Sequence, residues 1–179
     1  VPVANLISAV PLAPGGWAPG LRRSMRGKPK SAGSRCKIFF PMDKKLLATT
    51  AAAMVAKGKG VLAADESAGT CETRFNTINT PCTEENRRAY RGLLFTTPGV
   101  EKFLSGVILF DETIRQKATD GTLFPDYLAG KGIIPGIKVD AGAKNLALCP
   151  GEKVTEGLDG LRERLAAYFQ MGARFAKWR

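Results

Sequence analysis

Asp65, Lys138, Lys177 and Arg179 stand at or just past the ends of short apolar runs, where their chemistry has a use. A carboxylate relays protons, an amine acts as nucleophile or donor, and a guanidinium grips an anion through two parallel N–H groups. The runs are Gly60–Ser67, Ser105–Glu112, Gly132–Asp140 and Gly172–Arg179, each opening on or beside Gly and closing in charge. One acid among three cations suits a phosphorylated substrate and a proton-transfer step, with clustered positive charge lowering a lysine's pKa. A second reading stays open from spacing alone: the same charges form a buried ion-pair network that holds the fold. Asp111-Glu112 is equally read as the cap of a following helix.

The elements that must position these groups follow from periodicity. The runs predict strands over 61–65, 106–110 and 133–139, with a fourth from 173. Asp43 caps a helix reaching Lys57, and Thr83 caps another through Phe95 with acidic residues in its first turn. A short helical start is expected over 111–117, a short helix over 125–131, and a long helix over 155–171 with Leu158, Leu161, Leu165 and Phe169 on one stripe. Leu46–Ala56 is apolar but too short to span a bilayer, and reads as a buried helix. Strand, helix, strand in alternation gives a parallel sheet, whose ligands sit at the carboxyl ends of the strands. Because side chains alternate along a strand, Val61, Ala63 and Asp65 share a face, as do Lys138 and Asp140, and Phe175, Lys177 and Arg179. If the sheet closes, these sets meet around one mouth.

Composition narrows the function. The 179 residues carry 27 Lys and Arg against 16 Asp and Glu. Seven of the basic residues and none of the acidic ones fall in 1–42, so 43–179 holds 20 against 16, a net +4. That modest surplus fits an anionic metabolite, and nucleic acid is not an expected partner. With His 0, neither a His-based triad nor a His metal site exists in this chain, and proton transfer falls to Asp, Glu, Lys, Tyr or Cys. Cys36, Cys71, Cys82 and Cys149 lack C-x-x-C spacing, which argues against a zinc site and fits a reducing compartment. No transmembrane segment is expected.

Residues 1–42 stand apart from 43–179. Pro2, Pro11, Pro14 and Pro19 break regular elements, Gly15-Gly16 adds slack, and Arg22, Arg23, Arg26, Lys28 and Lys30 follow. An acid-free basic leader resembles an organelle transit peptide. It is also read as a disordered tail, as sequence from upstream of a start at Met42, or as a tail gripping RNA or anionic lipid. The expected organisation is therefore a leader over 1–42 and a globular unit over 43–179.

Six segments carry a family resemblance. They are Asp65-Glu-Ser67, Thr83-Glu-Glu-Asn-Arg-Arg88, Gly106-Val-Ile-Leu-Phe-Asp-Glu-Thr113, Gly136-Ile-Lys-Val-Asp140, Gly157-Leu-Asp-Gly160 and Phe175-Ala-Lys-Trp-Arg179. In that order and spacing the chain resembles class I fructose-bisphosphate aldolase from about Asp43 onward. The resemblance implies an α/β fold, a (β/α)8 TIM barrel of which this chain supplies about the first four strands. It implies reversible cleavage of fructose 1,6-bisphosphate through a lysine Schiff base, with no metal and no cofactor, and a homotetramer when complete. Asp65 then resembles the carboxylate of strand one that assists proton transfer. Lys177 resembles the lysine beside the Schiff base whose charge keeps that amine deprotonated. Lys138 and Arg179 resemble cations at the phosphate-bearing end, Arg74 a phosphate contact, and Arg87 an arginine associated with substrate binding, for which a solvated helix face is the alternative. Ser67 and Thr70 are hydroxyls of the same loop. Two positions depart from the pattern: Thr73 and Ala141 stand where lysine is common.

The same resemblance places the Schiff-base lysine, a glutamate base and later phosphate loops beyond strand four. The expectation is thus the front half of an enzyme, inactive by itself. The alternative is a non-catalytic half barrel acting as a scaffold module with an RNA- or membrane-contacting tail. The leader and the Asp-Glu-Ser loop followed by Thr-Cys favour a plastid form, with the cytoplasm as the alternative.

Overall fold

The computed structural model describes residues 43–179. The leader expected over 1–42, with its transit-peptide and tail readings and Cys36, lies outside them. Four parallel strands form the main sheet in the order β1 (Gly60–Ala64), β2 (Leu104–Leu109), β3 (Ile134–Lys138), β6 (Phe175–Lys177). Helices α1 (Lys44–Met54), α2 (Ala68–Asn76), α3 (Glu84–Thr96), α4 (Phe124–Gly130) and α5 (Leu161–Gln170) accompany it. A small antiparallel hairpin, β4 (Ala143–Asn145) with β5 (Lys153–Thr155), follows β3.

Capping chemistry explains where helices begin. Asp43 Oδ1 accepts from Leu46 N at 2.9 Å, and Thr83 Oγ1 accepts from Asn86 N at 3.2 Å, each meeting a donor that the first helical turn leaves free. Each cap is worth about 1 kcal/mol. In α3, Glu84 and Glu85 add negative charge at the positive end of the helix dipole.

The strand alternation divides the core in two. Val107, Leu109, Ile137 and Val139 pack with Phe95, Phe124, Leu128 and Tyr168 between sheet and helices. Phe95 and Phe124 meet edge to face, their centroids 5.1 Å apart. On the opposite, concave face a smaller cluster joins Met54, Ile108 and Phe175, with Val61 and Ile134 against it. Phe175 of β6 lies across Gly136 of β3, where an added Cβ would stand 2.3 Å from the ring. Glycine at 136 therefore makes room for the floor beneath the charged mouth.

Several expectations give way to the structure. α1 ends at Met54, short of Lys57, and only Met54 on it is buried, so the apolar 46–56 segment is largely exposed. Residues 68–76, for which the sequence suggested no element beyond a loop bearing Ser67 and Thr70, form α2, its buried face made by Cys71 and Phe75 one turn apart. The short helix expected over 111–117 shrinks to one 3₁₀ turn, Thr113–Arg115. The long helix over 155–171 is replaced by β5, a loop and α5. The reason lies at Gly157, held at φ +129, where a Cβ would meet Ala141 N at 2.7 Å. Backbone there cannot be helical, and Leu158 is 72% exposed rather than part of a stripe.

Candidate active site

Strand ends bring the charged residues together. Lys138 ends β3 and Lys177 ends β6, and the two are paired in register, so they are lateral neighbours in the sheet. Asp65 follows Ala64 at the end of β1, on the far edge of the sheet. In a flat sheet β1 and β6 would lie about 14 Å apart. Lys177 Nζ nevertheless donates to Asp65 Oδ2 at 2.6 Å across the concave face. The side chains are 29% and 8% exposed, so the pair is shielded yet reachable.

Around it opens a cavity of ≈ 680 Å³, whose wall includes Ser67, Arg74, Phe110, Lys138, Asp140 and Arg179 beside Asp65 and Lys177. Its volume is that of a small-molecule site. Four cations against three carboxylates, counting Glu66, face one concavity. Three of those cations are paired with the three carboxylates, so the mouth carries a net +1 and suits an anion.

Asp140 organises one side. Its Oδ1 accepts from Lys138 Nζ at 2.6 Å and Gly142 N at 3.0 Å, and its Oδ2 from Arg179 N at 3.0 Å. Burial pushes this carboxyl up, but the Lys138 amine and the two backbone donors outweigh it and hold the pKa below the usual carboxylate value. Lys138 is thereby fixed at the mouth, and so is the backbone bearing Arg179.

Glu66 organises the other side. It pairs with Arg74 and with Arg91 of α3, and the charge of Glu66 raises the Arg74 guanidinium above its ordinary pKa. Ser67 Oγ and Thr70 Oγ1 lie 3.2 Å apart at the start of α2.

Of the residues expected from sequence, Asp65, Ser67, Arg74, Lys138, Lys177 and Arg179 share this wall. Arg87 does not line it. Its Nε donates to Glu112 Oε2 at 2.8 Å and its Nη2 to Oε1 at 2.7 Å, while Nη1 donates to the Cys82 carbonyl at 2.7 Å. These bonds, led by Glu112, raise its pKa. Glu112 is thus the partner of Arg87, and Asp111 accepts from Tyr168 Oη at 2.9 Å and Arg115 Nη2 at 3.0 Å. Sequence reasoning left Glu66 and Asp140 out of the binding set. Both sit within the quoted motifs; parity put Asp140 on the face of Lys138 without giving it a role, whereas it put Glu66 on the face opposite Asp65. Among the described residues no group of three His, Cys, Asp or Glu could hold a metal ion, and no helix is long and apolar enough to cross a membrane.

Parallel βα units whose strand ends carry a cationic cavity define an α/β protein of the (β/α)8-barrel class, of which the described residues supply four strands. The family model for Fructose-bisphosphate aldolase class-I matches residues 46–179. A Xylella fastidiosa protein named "Probable fructose-bisphosphate aldolase class 1" is 63% identical over 138 residues, covering 77% of this chain and 41% of that protein. Fructose-bisphosphate aldolase 6, cytosolic, of Arabidopsis thaliana is 56% identical over 133 residues, covering 74% and 37%. Among solved structures, fructose-bisphosphate aldolase from Plasmodium falciparum, in a ternary co-crystal with TRAP and a small-molecule inhibitor, superposes with a TM-score of 0.73. It is 53% identical and covers 75% of this chain and 39% of that one. The chain belongs to the class I fructose-bisphosphate aldolase family. It spans about two fifths of the length of the curated relatives it matches.

Proposed function

We propose that the complete protein carrying this chain is a lyase of glycolysis or its reverse, cleaving fructose 1,6-bisphosphate to dihydroxyacetone phosphate and glyceraldehyde 3-phosphate. The observation that carries this reading is the Lys177–Asp65 contact of 2.6 Å inside a cavity that also holds Lys138, Arg74 and Arg179. Lys138, Arg179 and Arg74 serve as phosphate contacts, with Ser67 as an added hydroxyl donor. Asp65, its orientation set by Lys177, relays a proton at the substrate's hydroxyls. Lys177 places positive charge where the family's Schiff-base amine must stay unprotonated. That amine belongs to a part of the family not spanned by this chain.

Arg87 would reach a substrate only by leaving Glu112, so its geometry supports a scaffold role over direct binding. The 1–42 and 43–179 division fits the family match beginning at 46. The acid-free leader supports plastid import, whereas the likeness to the cytosolic Arabidopsis aldolase supports the cytosol. A fluorescent fusion of residues 1–42 to a reporter distinguishes the two by where it accumulates. Assembly of the complete protein as a homotetramer is checked by its sedimentation.

Borohydride reduction of the complete protein with dihydroxyacetone phosphate tests the chemistry. A covalent adduct, found by intact-mass measurement, is expected; its absence would remove the Schiff-base mechanism. The 179-residue chain expressed alone is expected to show no cleavage, since its sheet leaves β1 and β6 as edges.

A further inference from the structure

Glu66 is held from two helices at once, and unequally. Arg91 Nη2 of α3 lies 3.0 Å from Glu66 Oε2 and also donates to the Glu66 carbonyl at 2.9 Å. Its side chain is 2% exposed and sits 5.1 Å from the Tyr90 ring centroid, so it cannot leave without exposing the core. Arg74 of α2 pairs with the other oxygen, Oε1, but its side chain is 53% exposed on the cavity wall. Tyr90 Oη joins the two, accepting from Arg74 Nη1 at 2.8 Å and donating to Glu66 Oε1 at 3.2 Å.

We infer that Glu66 is a resident counter-anion for Arg74, occupying in the free protein the guanidinium face that an incoming phosphate must take, and so setting the site's affinity for phosphate. The inference rests on the proposed phosphate site. Exchange is feasible because only one of the two cations has to move. When Arg74 swings to a phosphate, Arg91 still neutralises Glu66, and no buried charge is stranded. The incoming group offers a charge-assisted, bidentate partner in place of a carboxylate, and the mobile arginine gains by the trade. Glu66 is thus a specificity-setting positioning residue: it disfavours weak monoanions and yields to a phosphate.

The test uses the complete protein and inorganic phosphate as probe, followed by calorimetry. Glu66→Gln should tighten phosphate binding by about two- to five-fold, the range for an ion pair with one exposed partner. KM for the bisphosphate should fall in step while kcat stays within about twofold, and in an Arg74→Ala background the gain should vanish. Affinity that is unchanged or weakened by Glu66→Gln, or a gain that survives without Arg74, overturns the inference. If Glu66→Gln does not fold because Arg91 loses its partner, Glu66→Asp decides. It keeps a negative charge beside Arg91 but draws the carboxylate back from Arg74 by one methylene, and should tighten phosphate by about twofold; no tightening overturns the inference equally. An active aldolase whose phosphate affinity ignores Glu66 sinks this inference alone. A protein that binds phosphate as described yet cleaves no bisphosphate sinks only the aldolase reading.

Discussion

Lys177 Nζ and Asp65 Oδ2 lie 2.6 Å apart although their positions differ by 112. Asp65 directly follows the strand at one edge of the sheet and Lys177 ends the strand at the other. Their meeting draws the strand ends around one cavity instead of leaving them in a row.

Lys177→Met in the complete protein separates electrostatic catalysis from scaffolding. A charge that stabilises the reacting state costs about 10²-fold or more in kcat when removed. The change leaves the Asp65 carboxylate, 8% exposed, without its partner, so stability should fall by about 1–3 kcal/mol in denaturant titration. Unchanged turnover with lost stability would return the pair to the role of an ion-pair network.

Asp140 makes the fold acid-sensitive in a defined sense. Its pKa lies below the unfolded value, because Lys138 and the Arg179 and Gly142 amides outweigh the opposing effect of burial. A depressed carboxyl contributes stability above the unfolded pKa of about 3.9 and loses it as pH falls through the lower folded value. Wild type should exceed Asp140→Asn in denaturation midpoint near neutrality, and the gap should shrink steadily below about pH 4. A gap independent of pH would show that the carboxyl's charge is not what Lys138 and Arg179 use.

Gly136→Ala should damage the floor of the cavity. A Cβ there stands 2.3 Å from the ring of Phe175, which is 3% exposed and packed against Met54 and Ile108. Overpacking of this kind costs about 1–3 kcal/mol. Adding Phe175→Leu should recover part of the loss, and calorimetric melting of both variants checks it. A single variant as stable as wild type would mean that the ring yields freely.

Arg87 and Glu112 should behave as one unit. Two parallel bonds at 2.8 and 2.7 Å predict a coupling of about 1–2 kcal/mol in a double-mutant cycle on stability. A tenfold or larger rise in KM for Arg87→Ala, on the scale of about 1.4 kcal/mol, with none for Glu112→Ala, would instead identify a direct substrate contact.

Much of this was legible in the chain. The strand ends, the Asp43 and Thr83 caps and the shared faces of Ala63 with Asp65 and Phe175 with Lys177 follow from local rules. Those rules depend only on neighbours two to four residues away. Helix α2 and the β4–β5 hairpin escaped them for separate reasons. α2 is built around two buried side chains, Cys71 and Phe75, amid weak formers. The hairpin's short strands take their pattern from each other and from Gly157 backing onto Ala141.

By itself, the sequence determined which residue types end the strands and which parity they carry, because alternation is a property of the backbone. Only the tertiary structure decided who faces whom. It set Lys177 on Asp65, gave Glu112 to Arg87, and placed Glu66 between a buried Arg91 and an exposed Arg74. Those pairings depend on the fold's curvature and on the depth of each side chain, and no short window of sequence encodes either.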